Sequence, residues 1–134
     1  MNKLVIVCFF FLIVSFAFGQ KKYIKNYYNN GKLKEEGWIE NNKKVDYWFF
    51  YYTDGTKKEE GHFEDDQKIK WWIFYNDNGK VIKKSEFENN KLNGFTIIYK
   101  KNKIIRAEEY FMNKKTNQWE SVAAFKKDNP FLFL

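Results

Sequence analysis

Apolar residues along this chain fall in short alternating runs rather than in helical stripes. Tyr47-Trp48-Phe49-Phe50-Tyr51-Tyr52, Trp71-Trp72-Ile73-Phe74-Tyr75 and Phe95-Thr96-Ile97-Ile98-Tyr99 are aromatic or β-branched and bounded by turn residues. Runs of that length and composition favour strand over helix. A second kind of run is charged, at residues 33–39, 57–63 and 81–87. Between an aromatic run and the charged run after it stand Asn29-Asn30-Gly31, Thr53-Asp54-Gly55 and Asp77-Asn78-Gly79. Asn-Gly and Asp-Gly supply positive φ angles, so the spacing predicts two-residue hairpins there. A polar turn closes each unit, at Asn41-Asn42-Lys43, Asp65-Asp66-Gln67 and Asn89-Asn90-Lys91.

The whole pattern recurs every 24 residues, over 27–50, 51–74, 75–98 and 99–122. Tyr27, Tyr51, Tyr75 and Tyr99 head the copies, and Gly31, Gly55 and Gly79 share a position that Lys103 takes in the last. A fixed period of this size means a stacked array in which each unit covers the apolar face of the next. The expected fold class is therefore all-β, a sheet of tandem β-hairpins. Alternation assigns Tyr47, Phe49, Tyr51, Trp71, Ile73, Tyr75, Phe95, Ile97 and Tyr99 to one face. Trp48, Phe50, Trp72 and Phe74 take the other, which weakens to Thr96 and Ile98 in the third copy. Gly37 and Gly61 lie inside charged strands, where glycine weakens a sheet. A hairpin register that sets Trp48 across from Gly61 predicts that the Trp48 ring covers that bare backbone.

Both ends of the array are ragged. Tyr23 and Tyr27 keep the spacing of Tyr47 and Tyr51, so the array opens on an incomplete unit, and after Trp119 the pattern dissolves. About four and a half repeats occupy residues 20–125, and residues 126–134 form a tail that contains the only proline, Pro130. The tail is expected to be frayed or loosely docked.

Residues 1–19 read as a signal peptide. A basic start at Lys3 precedes an apolar run over 4–18, and Ala17 and Gly19 are the small residues of a cleavage site before Gln20. The chain is then exported, to the periplasm or beyond. Its only cysteine, Cys8, leaves with the leader, so packing and ladder hydrogen bonds must hold the remainder together without disulfides. The formal charge of +7 adds little, because acids are interleaved throughout and every basic residue except Arg106 is lysine. A solvated mixed-charge surface accounts for it.

The units Tyr-x-x-x-Gly-x-x-Lys-x-Glu-Gly at residues 51–61, with a near copy at 27–37, resemble the MORN repeat. They are closest to its shorter bacterial variant, common in secreted proteins of Bacteroidetes-type bacteria. The resemblance covers residues 23–125. The glycine that such units carry before the aromatic strand survives only as Gly94, with Asp46, Lys70 and Gln118 at the equivalent places. The family implies antiparallel hairpins joined into an elongated, twisted sheet, with roles in scaffolding, protein interaction or membrane association. Some bacterial relatives carry the label antitoxin, a cytoplasmic role at odds with a leader peptide.

Residues that could carry chemistry do not converge. His62 is the only histidine, and its equivalents Trp38, Glu86 and Tyr110 mark the position as a surface strand site. Glu59 and Glu60 are adjacent in a strand and face opposite ways, so they form no acid/base dyad. Glu64-Asp65-Asp66 lacks the spacing of a calcium loop. No phosphate loop, metal cluster or nucleophilic triad is present, so no catalytic residue, metal or cofactor is predicted. The reading is a non-enzymatic binding module, with Trp48, Trp72, Trp71, Tyr47 and Phe49 as candidate contact residues. A protein partner or a second copy of the chain suits such aromatic anchors. A carbohydrate stacked on Trp48 or Trp72, or an anionic lipid held by lysines, is the alternative. Interleaved acids and a single arginine weigh against nucleic acid.

Overall fold

The computed structural model describes residues 19–134. The predicted leader, residues 1–19, lies outside them except for Gly19. Nine strands follow one another: β1 (Lys22–Tyr27), β2 (Leu33–Glu40), β3 (Lys43–Tyr51), β4 (Lys57–Glu64), β5 (Gln67–Tyr75), β6 (Val81–Glu88), β7 (Lys91–Lys100), β8 (Lys103–Phe111) and β9 (Lys114–Trp119). They form one open antiparallel sheet in chain order, each strand paired with its sequence neighbours. This is the all-β array of consecutive hairpins that the period predicts.

The two kinds of turn exchange roles relative to the expectation. At Gly31 the amide donates to the Tyr28 carbonyl at 2.9 Å and the Tyr28 amide to the Lys32 carbonyl at 2.8 Å. Asn29 and Asn30 keep negative φ, and only Gly31 is left-handed, at 81°. These loops are thus three residues long, a type I turn followed by a bulged glycine, and not the two-residue turns expected at Asn-Gly. Side chains close these turns locally: Asn30 and Asp54 accept from the amides of Lys32 at 3.0 Å and Thr56 at 2.8 Å, and in the third copy Asn76 accepts from the Lys80 amide at 2.9 Å. The two-residue turns are the polar ones. Asn41-Asn42, Asp65-Asp66 and Asn89-Asn90 have positive φ at both residues, as does Lys101-Asn102 where the fourth copy lacks the glycine.

Those polar turns also tie unit to unit. Asp66 accepts from the Lys44 amide through Oδ1 at 2.6 Å and donates its own amide to the Lys44 carbonyl at 3.0 Å. Asn90 repeats both bonds with Lys68, at 2.6 and 3.0 Å. Asp and Asn fit because they tolerate the left-handed region and supply a short acceptor.

The register confirms Trp48 opposite Gly61, but the ring over Gly61 belongs to Trp72. A Cβ built on Gly61 would lie 2.4 Å from the Trp72 ring, and one on Gly37 would lie 2.3 Å from the Trp48 ring. Each tryptophan thus covers the glycine of the strand before it. The cause is a bulge: β2 and β3 step from Gly37↔Trp48 to Trp38↔Val45, which leaves Asp46 and Tyr47 unmatched. The indole N–H fills the gap, Trp48 Nε1 donating to the Trp38 carbonyl at 2.9 Å and Trp72 Nε1 to the His62 carbonyl at 3.1 Å. In the third unit a smaller pair stands instead, with Thr96 Oγ1 2.9 Å from Ser85 Oγ and both residues buried.

After β9 the chain forms a helix, α1 (Val122–Asp128), which spans the expected boundary between array and tail at residue 125. Ser121 caps it through the Ala124 amide, and Lys126 and Lys127 stand in its last turn. Phe125 buries itself against Ile97, Ala107 and Trp119 on the first face, and Leu134 packs against the same cluster. The tail is therefore docked through Leu134, while Phe131 and Phe133 stay exposed.

The bulge demands left-handed backbone at one residue per unit: Asp46 at φ 58°, Lys70 at 59° and Gly94 at 111°. A non-glycine residue there costs roughly 1–2 kcal/mol, and glycine costs the unfolded chain about 0.4–1 kcal/mol in entropy. Lys70→Gly should therefore raise stability by up to about 1 kcal/mol, seen as a higher urea midpoint at unchanged slope. A lower midpoint would show that the Lys70 side chain matters more than its backbone.

Candidate functional site: an aromatic strip on one face

The two faces of the sheet have different chemistry. On the second, Trp48 and Trp72 are 0 % exposed. Trp72 meets Phe63 edge-on at 5.0 Å and lies 6.0 Å from Phe50. Lysine roofs both indoles: Lys44 Nζ sits 4.2 Å from the Trp48 ring centre and Lys68 Nζ 3.9 Å from that of Trp72. Each ammonium is held by a glutamate of the preceding strand, Glu35 at 2.7 Å and Glu59 at 3.2 Å. Burial raises the Glu35 carboxyl, but the Lys44 and Asn26 side chains hold it below the usual carboxylate range on balance. This face is closed by its own side chains.

The first face carries a row of charged residues between the ring-bearing strands. Glu36 stands opposite Phe49, and Glu60 between Phe49 and Ile73. Glu60 is 7 % exposed and accepts from the Tyr75 hydroxyl at 2.6 Å and from Lys57 Nζ at 2.7 Å. Glu36 accepts from the Tyr51 hydroxyl at 2.7 Å. Burial and these carboxylates push both phenols well above their usual range. Glu36 itself is held low: burial opposes this, but the Tyr51 and Tyr23 hydroxyls and Lys25 outweigh it.

Beside that row an aromatic strip crosses β1 to β5. Tyr23 meets Trp38 edge-on at 5.2 Å, and Tyr47 meets His62 edge-on at 4.8 Å and Phe49 at 5.1 Å. Trp71 follows, opposite Glu86. Tyr23 and Trp38 are 39 % exposed and Trp71 is 40 % exposed, so the chain leaves part of each ring uncovered. Burial lowers the His62 pKa and nearby Lys70 lowers it further, against a smaller pull from Asp46. The imidazole is neutral at physiological pH.

The five candidate contact residues divide between the faces. Trp71, Tyr47 and Phe49 belong to the strip, the last two half-buried. Trp48 and Trp72 are structural, because a fully buried indole beneath an ammonium offers no ring to a sugar or a protein. Tyr23, Trp38 and His62 are the strip members that the candidate set lacks. Their signal is in the repeat, since Trp38, His62 and Glu86 are equivalent positions and all lie on this face. Glu59 and Glu60 are split between the two faces, as alternation predicts, one on Lys68 and the other on Tyr75. No group of His, Cys, Asp or Glu that could hold a metal ion occurs among the described residues.

At the far end of this face, α1 and the tail rise over the sheet and leave a cleft of about 530 Å³. Trp71, Ile73, Phe95, Tyr99 and Lys84 form its floor, and Leu132 and Phe133 part of its wall. Compared with known proteins, the chain matches no family model and no curated protein sequence.

With the His62 pKa depressed in the fold, the unfolded chain takes up a proton first as pH falls. The His62 contribution is complete above its unfolded value of about 6.5 and is lost as pH drops below it. Glu35, Glu36 and Glu108, also held low, give up theirs only below their ordinary 4.5. The urea midpoint should fall between about pH 7.5 and pH 5.5 in the native chain and stay flatter in His62→Gln. Equal slopes would mean that another group titrates there.

Proposed function

We propose that this chain is a non-enzymatic, exported binding module whose partner is a protein seated on the strip formed by Tyr23, Trp38, Tyr47, His62 and Trp71. The observation that carries the reading is the uneven closure of the two faces. The second face is sealed over Trp48 and Trp72 by Lys44 and Lys68, whereas the first keeps the rings of Tyr23, Trp38 and Trp71 partly exposed. Tryptophan and tyrosine are the residues on which protein interfaces concentrate binding energy. A strip of rings rimmed by Glu36 and lysines offers apolar anchors with polar specificity around them. The resemblance to the MORN repeat points the same way, toward scaffolding. The leader-like start over residues 1–19 supports a periplasmic or secreted place of action. Trp48 and Trp72 drop out of the carbohydrate alternative, and no observation favours an anionic lipid headgroup at the strip over a protein.

A photo-crosslinking amino acid placed at Trp38, at Trp71 and at Lys83 on the second face tests this in cells that produce the chain. Trp38 and Trp71 should yield the same protein adduct, outside the cytoplasm, on a chain beginning at Gln20, and Lys83 should yield none. The same adducts from all three positions, or no adduct from either tryptophan, would remove the strip as the interface.

A further inference from the structure

The repeat fails at one point of the first face, and the failure lies in the cleft. In two successive units the position after the strand centre is glutamate, and the tyrosine heading the next copy donates its hydroxyl to it. Tyr51 reaches Glu36 at 2.7 Å and Tyr75 reaches Glu60 at 2.6 Å. The third unit has Lys84 in that row, opposite Ile73 and Ile97. Its tyrosine, Tyr99, is still there, with Lys84 Nζ 5.5 Å from the ring centre. An acceptor has been exchanged for a second donor. Among the described residues Lys84 has no carboxylate within 4.0 Å, and the Tyr99 hydroxyl makes no hydrogen bond. Among the side chains that line the cleft the carboxylate is that of Glu86, whose Oε2 accepts from the Phe95 amide at 2.6 Å.

Apart from these donors and Glu86, the cleft is lined by apolar side chains: Trp71, Ile73, Phe95 and Ile97 on the sheet, Phe125, Leu132 and Leu134 from the C-terminal segment. Its volume of about 530 Å³ falls within the range of small-molecule sites. A cation and a hydroxyl at one place, inside an apolar cleft, call for a ligand with one anionic oxygen head and a hydrocarbon body. We propose that this cleft binds a long-chain monocarboxylate, of the fatty-acid class. Its carboxylate takes the place of the glutamate that the third unit lacks, accepting from Lys84 Nζ and the Tyr99 hydroxyl, and its chain lies along Ile73, Phe95 and Ile97. A charge-assisted pair in a partly desolvated setting is what separates this ligand from a neutral one of equal length. The cleft shares Trp71 with the protein-binding strip, but Lys84 and Tyr99 lie outside it, so a failed titration leaves the crosslinking result at Trp38 untouched, and the converse.

Sodium dodecanoate, dodecanol and dodecylammonium chloride, each below its micellar concentration, are titrated into the native chain by calorimetry with far-ultraviolet circular dichroism as a fold control. Dodecanoate should bind at least about tenfold more tightly than dodecanol, and dodecylammonium least. Lys84→Glu restores the pair seen at Glu36–Tyr51 and Glu60–Tyr75, so it should keep thermal stability and lose dodecanoate binding. Tyr99→Phe should weaken dodecanoate about three- to tenfold and leave dodecanol unchanged. Equal affinities for dodecanoate and dodecanol, an unchanged dodecanoate affinity in folded Lys84→Glu, or no binding of any of the three would overturn the proposal.

Discussion

A tryptophan laid on bare glycine backbone is the contact on which the rest of this sheet depends. A single layer has no second sheet or helix to bury its central residues, so burial must come from side chains that lie flat along the sheet. An indole does this only where the neighbouring strand has no Cβ. Gly37 and Gly61 provide that space, and a Cβ at either would stand within 2.5 Å of the ring above it. Magnitudes favour the arrangement. A glycine inside a strand costs roughly 0.5–1 kcal/mol. Removing some 150–250 Å² of aromatic surface from water returns about 4–6 kcal/mol before entropy is counted.

The bulge beside each tryptophan belongs to the same device. It breaks two ladder pairings, leaves a carbonyl unmatched and forces Asp46 or Lys70 into left-handed backbone. The indole N–H repairs the carbonyl, and the lysines above Trp48 and Trp72 close the ring from solvent. Once one face is sealed in this way, the rings of the other need not all be buried. That freedom divides the faces over the first five strands: the second buries its tryptophans, and the first can keep Tyr23, Trp38 and Trp71 partly open.

Much of the fold was legible because the signals were redundant. Four copies of one hydrophobic alternation, recurrent turn residues and glycine inside strands all pointed to hairpins in a row, and the register of Trp48 against Gly61 followed from spacing alone. Finer points were lost where side chains override backbone preference. Asn30, Asp54 and Asn76 close the three-residue loops by accepting from the amides of Lys32, Thr56 and Lys80, bonds that dipeptide preference does not report. The bulge tilts each indole toward the earlier strand, which moved the ring from one glycine to the other. Helix α1 was missed because at seven residues it shows barely two turns of periodicity, although Ser121, the basic last turn and Pro130 mark its ends. For the candidate site, tryptophan content drew attention equally to all copies. Only burial told Trp48 and Trp72 from Trp71, and burial depends on which face the lysines roof.

The central claim is that tryptophan and glycine act as one unit, and a double-mutant cycle at Trp72 and Gly61 tests it. Gly61→Ser alone drives a side chain into the Trp72 ring, Trp72→Thr alone leaves a cavity above bare backbone, and the two together imitate the buried Ser85–Thr96 pair. By urea unfolding, each single variant should lose about 2 kcal/mol or more, and the double should lose at least about 1 kcal/mol less than their sum. Additive losses, or a Gly61→Ser chain as stable as the native one, would contradict the account.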